Sequence, residues 1–261
     1  MTKRKLMPLL LLVFNGICHQ LAAQNSRFPT EGTITFERNI NTYGIIQKMV
    51  DNQKDNPFIV TVFDNYKKTA KQFKILQSTL YFSNNKTFFK PTEDLSVQNQ
   101  FFGDSPEMKQ INTVYTDFGT GLQITQKSVF EEKFLVKDSI RHINWKITSE
   151  TREIAGYTCR RANAIVMDSI YVVAFYTEQI PVSGGPEVFA GLPGMILGVA
   201  LPHDNVTWFA KTVTDQTIDP KLMAVPVKGK ATDKKGLMST LTAALSEWGE
   251  YAKSYMRTFM L

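Results

Sequence analysis

A chain with few histidines has few routes to acid–base or metal chemistry, and here only His19, His142 and His203 occur. None of them stands at a spacing that would place two imidazoles on one helix face or hairpin. There is also no HExxH and no paired CxxC, so the sequence calls for no metal and no cofactor. Ser183, in "PVSGGPE", lacks the strand–turn–helix frame of a nucleophile elbow. Cys159 would need His142 as its base, and a small apolar thiol within a strand is the simpler role. His203, in "LPHDN", reads as a polar turn residue. Carboxylate pairs occur as Glu131 with Glu132 and Glu150 with Glu153. Adjacent strand residues face opposite sides of a sheet, so Glu131 and Glu132 cannot converge on one substrate. No catalytic residue is assigned, and a hydrolase is the least supported function.

The remaining candidate is the stretch "GGPEVFAGLPGMILG", Gly184 to Gly198. Its glycines form neither GxGxxG nor a phosphate loop ending in Lys-Ser/Thr. They suit turn geometry instead. Pro193 presets the backbone at one turn position and Gly194 tolerates positive φ at the next, which predicts a type II turn over "LPGM". Gly185, Pro186, Gly191, Leu192, Pro193, Gly194, Met195 and Ile196 are thus expected to form a structural loop feeding a buried strand.

The elements around this loop read as strands. "EGTITFER" alternates Ile34 and Phe36 with polar neighbours. "QFKILQSTLYFSNNKTFFKP" gives two or three strands that turn at Asn84-Asn85. "INTVYTDF", "LQITQKSVFEEKFLV", "INWKITSETREIAGYTCRRANAIV", "SIYVVAFYTEQIP", "MILGVAL" and "VTWFAKTV" follow without long helices between them, which implies an antiparallel sheet. Between Thr42 and Lys68 a connector with helical turns is expected. From about residue 235, Leu241, Leu245, Trp248, Ala252, Tyr255 and Phe259 step by four and three, the spacing of one helical face. Thr232 or Asp233 can cap that helix. The fold class is therefore mainly β with some α: a curved antiparallel sheet carrying a C-terminal amphipathic helix. The aromatics Trp145, Tyr157, Phe175 and Trp208 are candidates for an apolar surface.

Residues 1–23 read as an export signal: Lys3, Arg4 and Lys5, an apolar run from Leu6 to Phe14, and a small-residue exit ending at Ala23. The apolar run is too short to span a bilayer. Ile17 before Cys18 is bulkier than lipidation calls for. Residues 24–261 would then be a single β-rich domain with Cys159 as its lone cysteine and no internal disulfide. The leader takes three basic residues and no acid, which lowers the net charge from +6 to +3. That balance, without an arginine-rich arm, argues against nucleic acid. Lys228, Lys230, Lys234 and Lys235 form a local basic cluster, by default solvated.

The motif "GLPGMIL" (Gly191 to Leu197), its lead-in "EQIPVSGGPEVF", the upstream "INWKITSETREIAGYTCRRA" and the first strand "GTITFER" together resemble the GLPGLI family of secreted Bacteroidetes proteins. Met195 and Phe175 depart from the pattern, standing where leucine and tryptophan are expected. The resemblance implies a periplasmic or outer-membrane-associated protein with no established enzymatic activity, peripheral to the membrane at most. It further suggests analogy to the half-barrels of lipoprotein carriers such as LolA. The expected function is a non-catalytic envelope module that binds an apolar ligand or lipid. The alternative is a structural partner that docks an outer-membrane TonB-dependent transporter or a peptide through the GLPG loop.

Overall fold

Strand alternation sets the inner face of the sheet from its first element. In β1 (Gly32–Asn41), Ile34, Phe36, Arg38 and Ile40 are buried, while the residues between them are not. The computed structural model describes residues 28–53, 55–92, 105–109, 111–249 and 251–261. The expected leader, with Cys18 and His19, lies outside the described residues.

β1 runs on into α1 (Thr42–Asp51), which Asn41 caps by accepting from the Gly44 N–H at 3.2 Å. Next comes α2 (Pro57–Thr69), capped by Asn56, so the irregular connector is two helices. The strands β2 (Phe73–Ser83), β3 (Lys86–Pro91), β4 (Asn112–Asp117), β5 (Leu122–Val129) and β6 (Glu132–Ser139) form a meander. Asn84 and Asn85 both hold positive φ at the β2–β3 turn, as their side chains allow. β7 (Lys146–Ile154), β8 (Tyr157–Val166), β9 (Ile170–Thr177), β10 (Met195–Leu201) and β11 (Val206–Asp215) follow, and then the short β12 (Lys230–Thr232).

Twelve strands join in one curved, unclosed sheet in the order β12-β6-β5-β4-β3-β2-β1-β11-β10-β9-β8-β7. Neighbours pair antiparallel except β12 with β6, which are parallel. The largest apolar cluster fills the inner side between this sheet, α1, α2 and the segment from Ile180 to Leu192.

The single helix expected from about residue 235 is two helices, α3 (Lys234–Ala244) and α4 (Tyr251–Met260). Gly249, with φ of 54°, turns the chain between them. The turn sends Trp248 against Phe130 and Tyr255, with ring centroids 5.5 and 5.1 Å away. The apolar stripe nevertheless serves its expected purpose. Leu237, Leu241, Leu245 and Phe259 pack on Val129, Phe134 and Val136 of β5 and β6. Asp233 caps α3, accepting from the Gly236 N–H at 2.7 Å.

The type II turn expected over "LPGM" also differs. Met195 begins β10 and its N–H donates to the Ile180 carbonyl at 3.0 Å, so it cannot close an i to i+3 turn. The Gly194 N–H donates instead to the Leu192 carbonyl at 2.8 Å, a three-residue turn centred on Pro193. The glycine requirement is steric as well as conformational: φ is 146°, and a Cβ at Gly194 would lie 2.1 Å from the Thr177 oxygen. Gly194→Ala is therefore expected to lower stability by roughly 2–4 kcal/mol. Gly121→Ala, at a positive-φ site open to solvent, should cost only about 1 kcal/mol. Urea unfolding midpoints check the comparison, and equal losses at the two sites would contradict it.

Candidate functional site

The strand period that buries Ile34 and Phe36 also carries Arg38 into the interior, where it is 5% exposed. β4 and β5 place Asn112 directly opposite Lys127, both on the inner face and both buried. The third contribution comes from the glycine-rich loop. Gly184 through Ala190 are buried, and Glu187 adopts a left-handed φ of 54° that turns its carboxylate inward. Positive φ is costly for a residue with a side chain and persists where surrounding packing enforces it. Gly185 allows the necessary fold-back, because a Cβ there would lie 2.8 Å from Ile196 and 2.9 Å from the Phe189 oxygen.

Arg38, Asn112 and Glu187 meet at a cavity of about 590 Å³, while Lys127, buried beside them, lies outside its lining. One wall is apolar, made by Ile45 and Met49 of α1 with Phe189, Leu201 and Val206. α4 closes another side through Tyr255 and Arg257, joined by Leu261 just past its end. It is held there by Ser254, which donates to Glu107 at 2.6 Å, and by Arg257, which pairs with Asp204 at 3.0 Å. The Arg38 guanidinium sits 5.0 Å from the centroid of the Trp208 ring. It donates to two backbone carbonyls, Lys109 and Glu107, the second at 2.9 Å. Asn112 donates to Glu187 at 2.8 Å.

Several polar atoms of the lining have no hydrogen-bond partner although they are shut away from solvent: Arg38 Nε, Glu107 Oε2, Asn112 Oδ1, Trp208 Nε1 and Arg257 Nε. Buried polar atoms in folded proteins are nearly always satisfied by protein or ordered water, so these atoms are left for water or a bound molecule to complete. Burial shifts all three enclosed charges toward neutrality. It lowers Arg38 to about 10 and Lys127 to about 8, against the raising effect of Glu187 on both. It raises Glu187, opposed by Arg38, the Asn112 hydrogen bond and Lys127. The Trp208 indole N–H also favours the charged carboxylate, without forming a well-made hydrogen bond.

The aromatics picked out from the sequence do not share one surface. Trp208 lines the cavity. Phe175 pairs through Gly198 with Phe209 and lies on the opposite side of the sheet, where Arg152 stacks over both rings at 5.7 and 4.7 Å. Tyr157, by period two from Arg161 opposite Phe175, is on that same outer side. Trp145 precedes β7 and donates from its indole to the Ala190 carbonyl at 3.0 Å, bracing the loop. Of the loop residues, Gly185, Pro186, Leu192, Gly194, Met195 and Ile196 are buried, while Gly191 and Pro193 face solvent. Cys159 is buried with its thiol pushed up to about 12, chiefly by desolvation, and is chemically quiet. Among the described residues no group of three or more His, Cys, Asp or Glu is placed to hold a metal.

The sequence reading passed over Arg38, Asn112, Lys127 and Glu187. A signal for Arg38 was present, since period two from Ile34 and Phe36 puts it on the apolar face. Glu187 sat within the glycine-rich motif, but only the loop's path shows its direction.

Folded Lys127 gives up its proton near pH 8, whereas the unfolded chain holds it to about 10.5. Between these values the unfolded state binds more protons, so stability rises with pH. Relative to wild type, Lys127→Met should therefore lose about 2–3 kcal/mol as the pH is raised from 7 to 10. Denaturant unfolding of both proteins at each pH checks this; a stability difference that stays constant with pH would contradict it.

Residues 164–198, from the end of β8 through β9 and the loop into β10, match a family model described as a protein of unknown function (Porph_ging). No curated protein matches the chain. Among solved structures, the chain is similar to PNGF-II in a C2 crystal form, with a TM-score of 0.51 and 13% identity over 80% of this chain and 32% of that one. The P21 form of PNGF-II gives 0.49 and 13% over 81% and 33%. The chain thus spans about a third of the length of PNGF-II, and at this identity the likeness is one of fold.

Proposed function

We propose that the protein is a non-catalytic binding module of the cell envelope that holds an amphiphilic small molecule in the cavity beneath α4. The observation that carries this reading is the make-up of the cavity: an apolar wall of Ile45, Met49, Phe189, Leu201 and Val206 facing buried polar atoms without partners. A volume of about 590 Å³ is within the range of small-molecule sites. The apolar ligand expected from the sequence becomes one with a polar end. The export signal at residues 1–23 supports the envelope as its place of work. The motif "GLPGMIL" lies within the matched segment 164–198, which supports membership of the GLPGLI family. Docking of a transporter through the loop has a smaller basis, because the loop offers mainly Pro181, Gly191 and Pro193 to a partner.

The neutral fluorescent probe N-phenyl-1-naphthylamine tests the site. The full-length mature protein is expected to bind it saturably at one site. Met49→Trp, which fills the cavity from a half-buried position on α1, should weaken binding about tenfold or more, as loss of much of the apolar contact requires. Circular dichroism should show the variant folded. Absence of saturable binding, or equal binding by the folded variant, would contradict the proposal.

A further inference from the structure

Among the described residues, the lining of the cavity holds three donor atoms without hydrogen-bond partners, Arg38 Nε, Trp208 Nε1 and Arg257 Nε, against two such acceptors, Glu107 Oε2 and Asn112 Oδ1. It contains the cations Arg38, Lys48, Lys109, Lys253 and Arg257 against the acids Glu107, Glu187 and Asp204. Each acid already has a partner at one oxygen at least. Asp204 pairs with Arg257, Glu107 accepts from Ser254, and Glu187 accepts from Asn112. Arg38 is different: it is 5% exposed, and its terminal nitrogens donate to backbone carbonyls rather than to a carboxylate. Its Nε is left without a partner, and the Trp208 Nε1 of the ring it stacks on is unpartnered too. A guanidinium withdrawn from water without a charged partner is expensive unless an anion joins it. Glu187 and Glu107 act on Arg38 through space, but among the described residues no carboxylate pairs with it directly. Arg38 and Lys127 are both buried, and Glu187 is the one buried acid among the described residues.

We infer that the polar end of the ligand is a carboxylate that accepts from Arg38 Nε and Trp208 Nε1, with its hydrocarbon part against Phe189, Leu201 and Val206. This rests on the cavity being the binding site. Guanidinium and indole N–H groups are both pure donors, so a group made only of acceptors completes them and an alcohol or amine does so less well. The two unpartnered acceptors, Glu107 Oε2 and Asn112 Oδ1, take the water that accompanies a bound carboxylate.

Displacement of N-phenyl-1-naphthylamine by three ten-carbon probes, decanoate, decanol and decylamine, each below its micelle concentration, tests the inference. Decanoate should displace the dye at about 10- to 100-fold lower concentration than decanol, the span expected for hydrogen bonds to a charged group. Arg38→Gln should remove that preference, so that decanoate and decanol displace the dye at similar concentrations. Should Arg38→Gln fail to fold, Trp208→Phe, which keeps an aromatic six-membered ring but loses the indole N–H, should reduce the preference several-fold. Equal displacement by decanoate and decanol would overturn the carboxylate and leave the binding site standing. Preference for decylamine would also overturn it, in favour of Glu187 and Glu107 as the recognising groups. Dye that fails to bind at all would remove both this inference and the site.

Discussion

The structure depends on charge withdrawn from water at the centre of a β sheet. Arg38, Lys127 and Glu187 come from β1, β5 and the glycine-rich loop, three parts of the chain far apart in sequence. Bringing them inside costs solvation, and a buried ion arrangement seldom returns that cost as stability. A core built for stability alone would place apolar residues at these positions. Arg38 and Glu187 instead line a cavity, with Lys127 buried behind them, and polar atoms of the lining remain without partners. That combination is what the proposed binding role rests on.

The loop acquires its purpose from this arrangement. Ile196 N–H donates to the Gly184 carbonyl and Gly191 N–H to the Ser183 carbonyl, at 2.8 and 3.0 Å, which ties the loop across the start of β10. Trp145 holds its far end at Ala190. The glycines allow backbone to lie against backbone, and Glu187 is the side chain that this close packing drives inward. The motif is therefore best understood as the support of a carboxylate rather than as a catalytic turn or an exposed contact surface.

Much of the scaffold was legible in residue patterns. Alternation in β1 and asparagines at the β2–β3 turn act over a few residues, and they gave a mainly β, curved antiparallel sheet. The four-and-three stripe near the end was also local, but the break at Gly249 depends on Trp248 finding Phe130, a contact between segments more than a hundred residues apart. The turn at Pro193 differed from expectation for the same reason, since the Met195 N–H is claimed by Ile180. The site itself was the least legible part. Lys127 and Asn112 gain meaning only from the β4–β5 register, and a count of aromatics could not tell Trp208 on the inner side from Phe175 on the outer. Adjacent aromatic residues in a strand are separated by the sheet, so clustering in sequence is not clustering in space.

The three tryptophans offer a direct test of where a ligand goes. Trp208 lines the cavity with its indole N–H near Glu187 but without a well-made hydrogen bond, Trp145 is bonded to Ala190, and Trp248 lies 41% exposed beside Phe130. Indole resonances in a ¹H–¹⁵N spectrum, assigned by single Trp→Phe substitution, can be followed while decanoate is added to the mature protein. The account predicts a saturable shift of the Trp208 indole proton, with Trp145 and Trp248 nearly unmoved. A Trp208 resonance that stays fixed while Trp248 shifts would place binding on the surface and contradict the account.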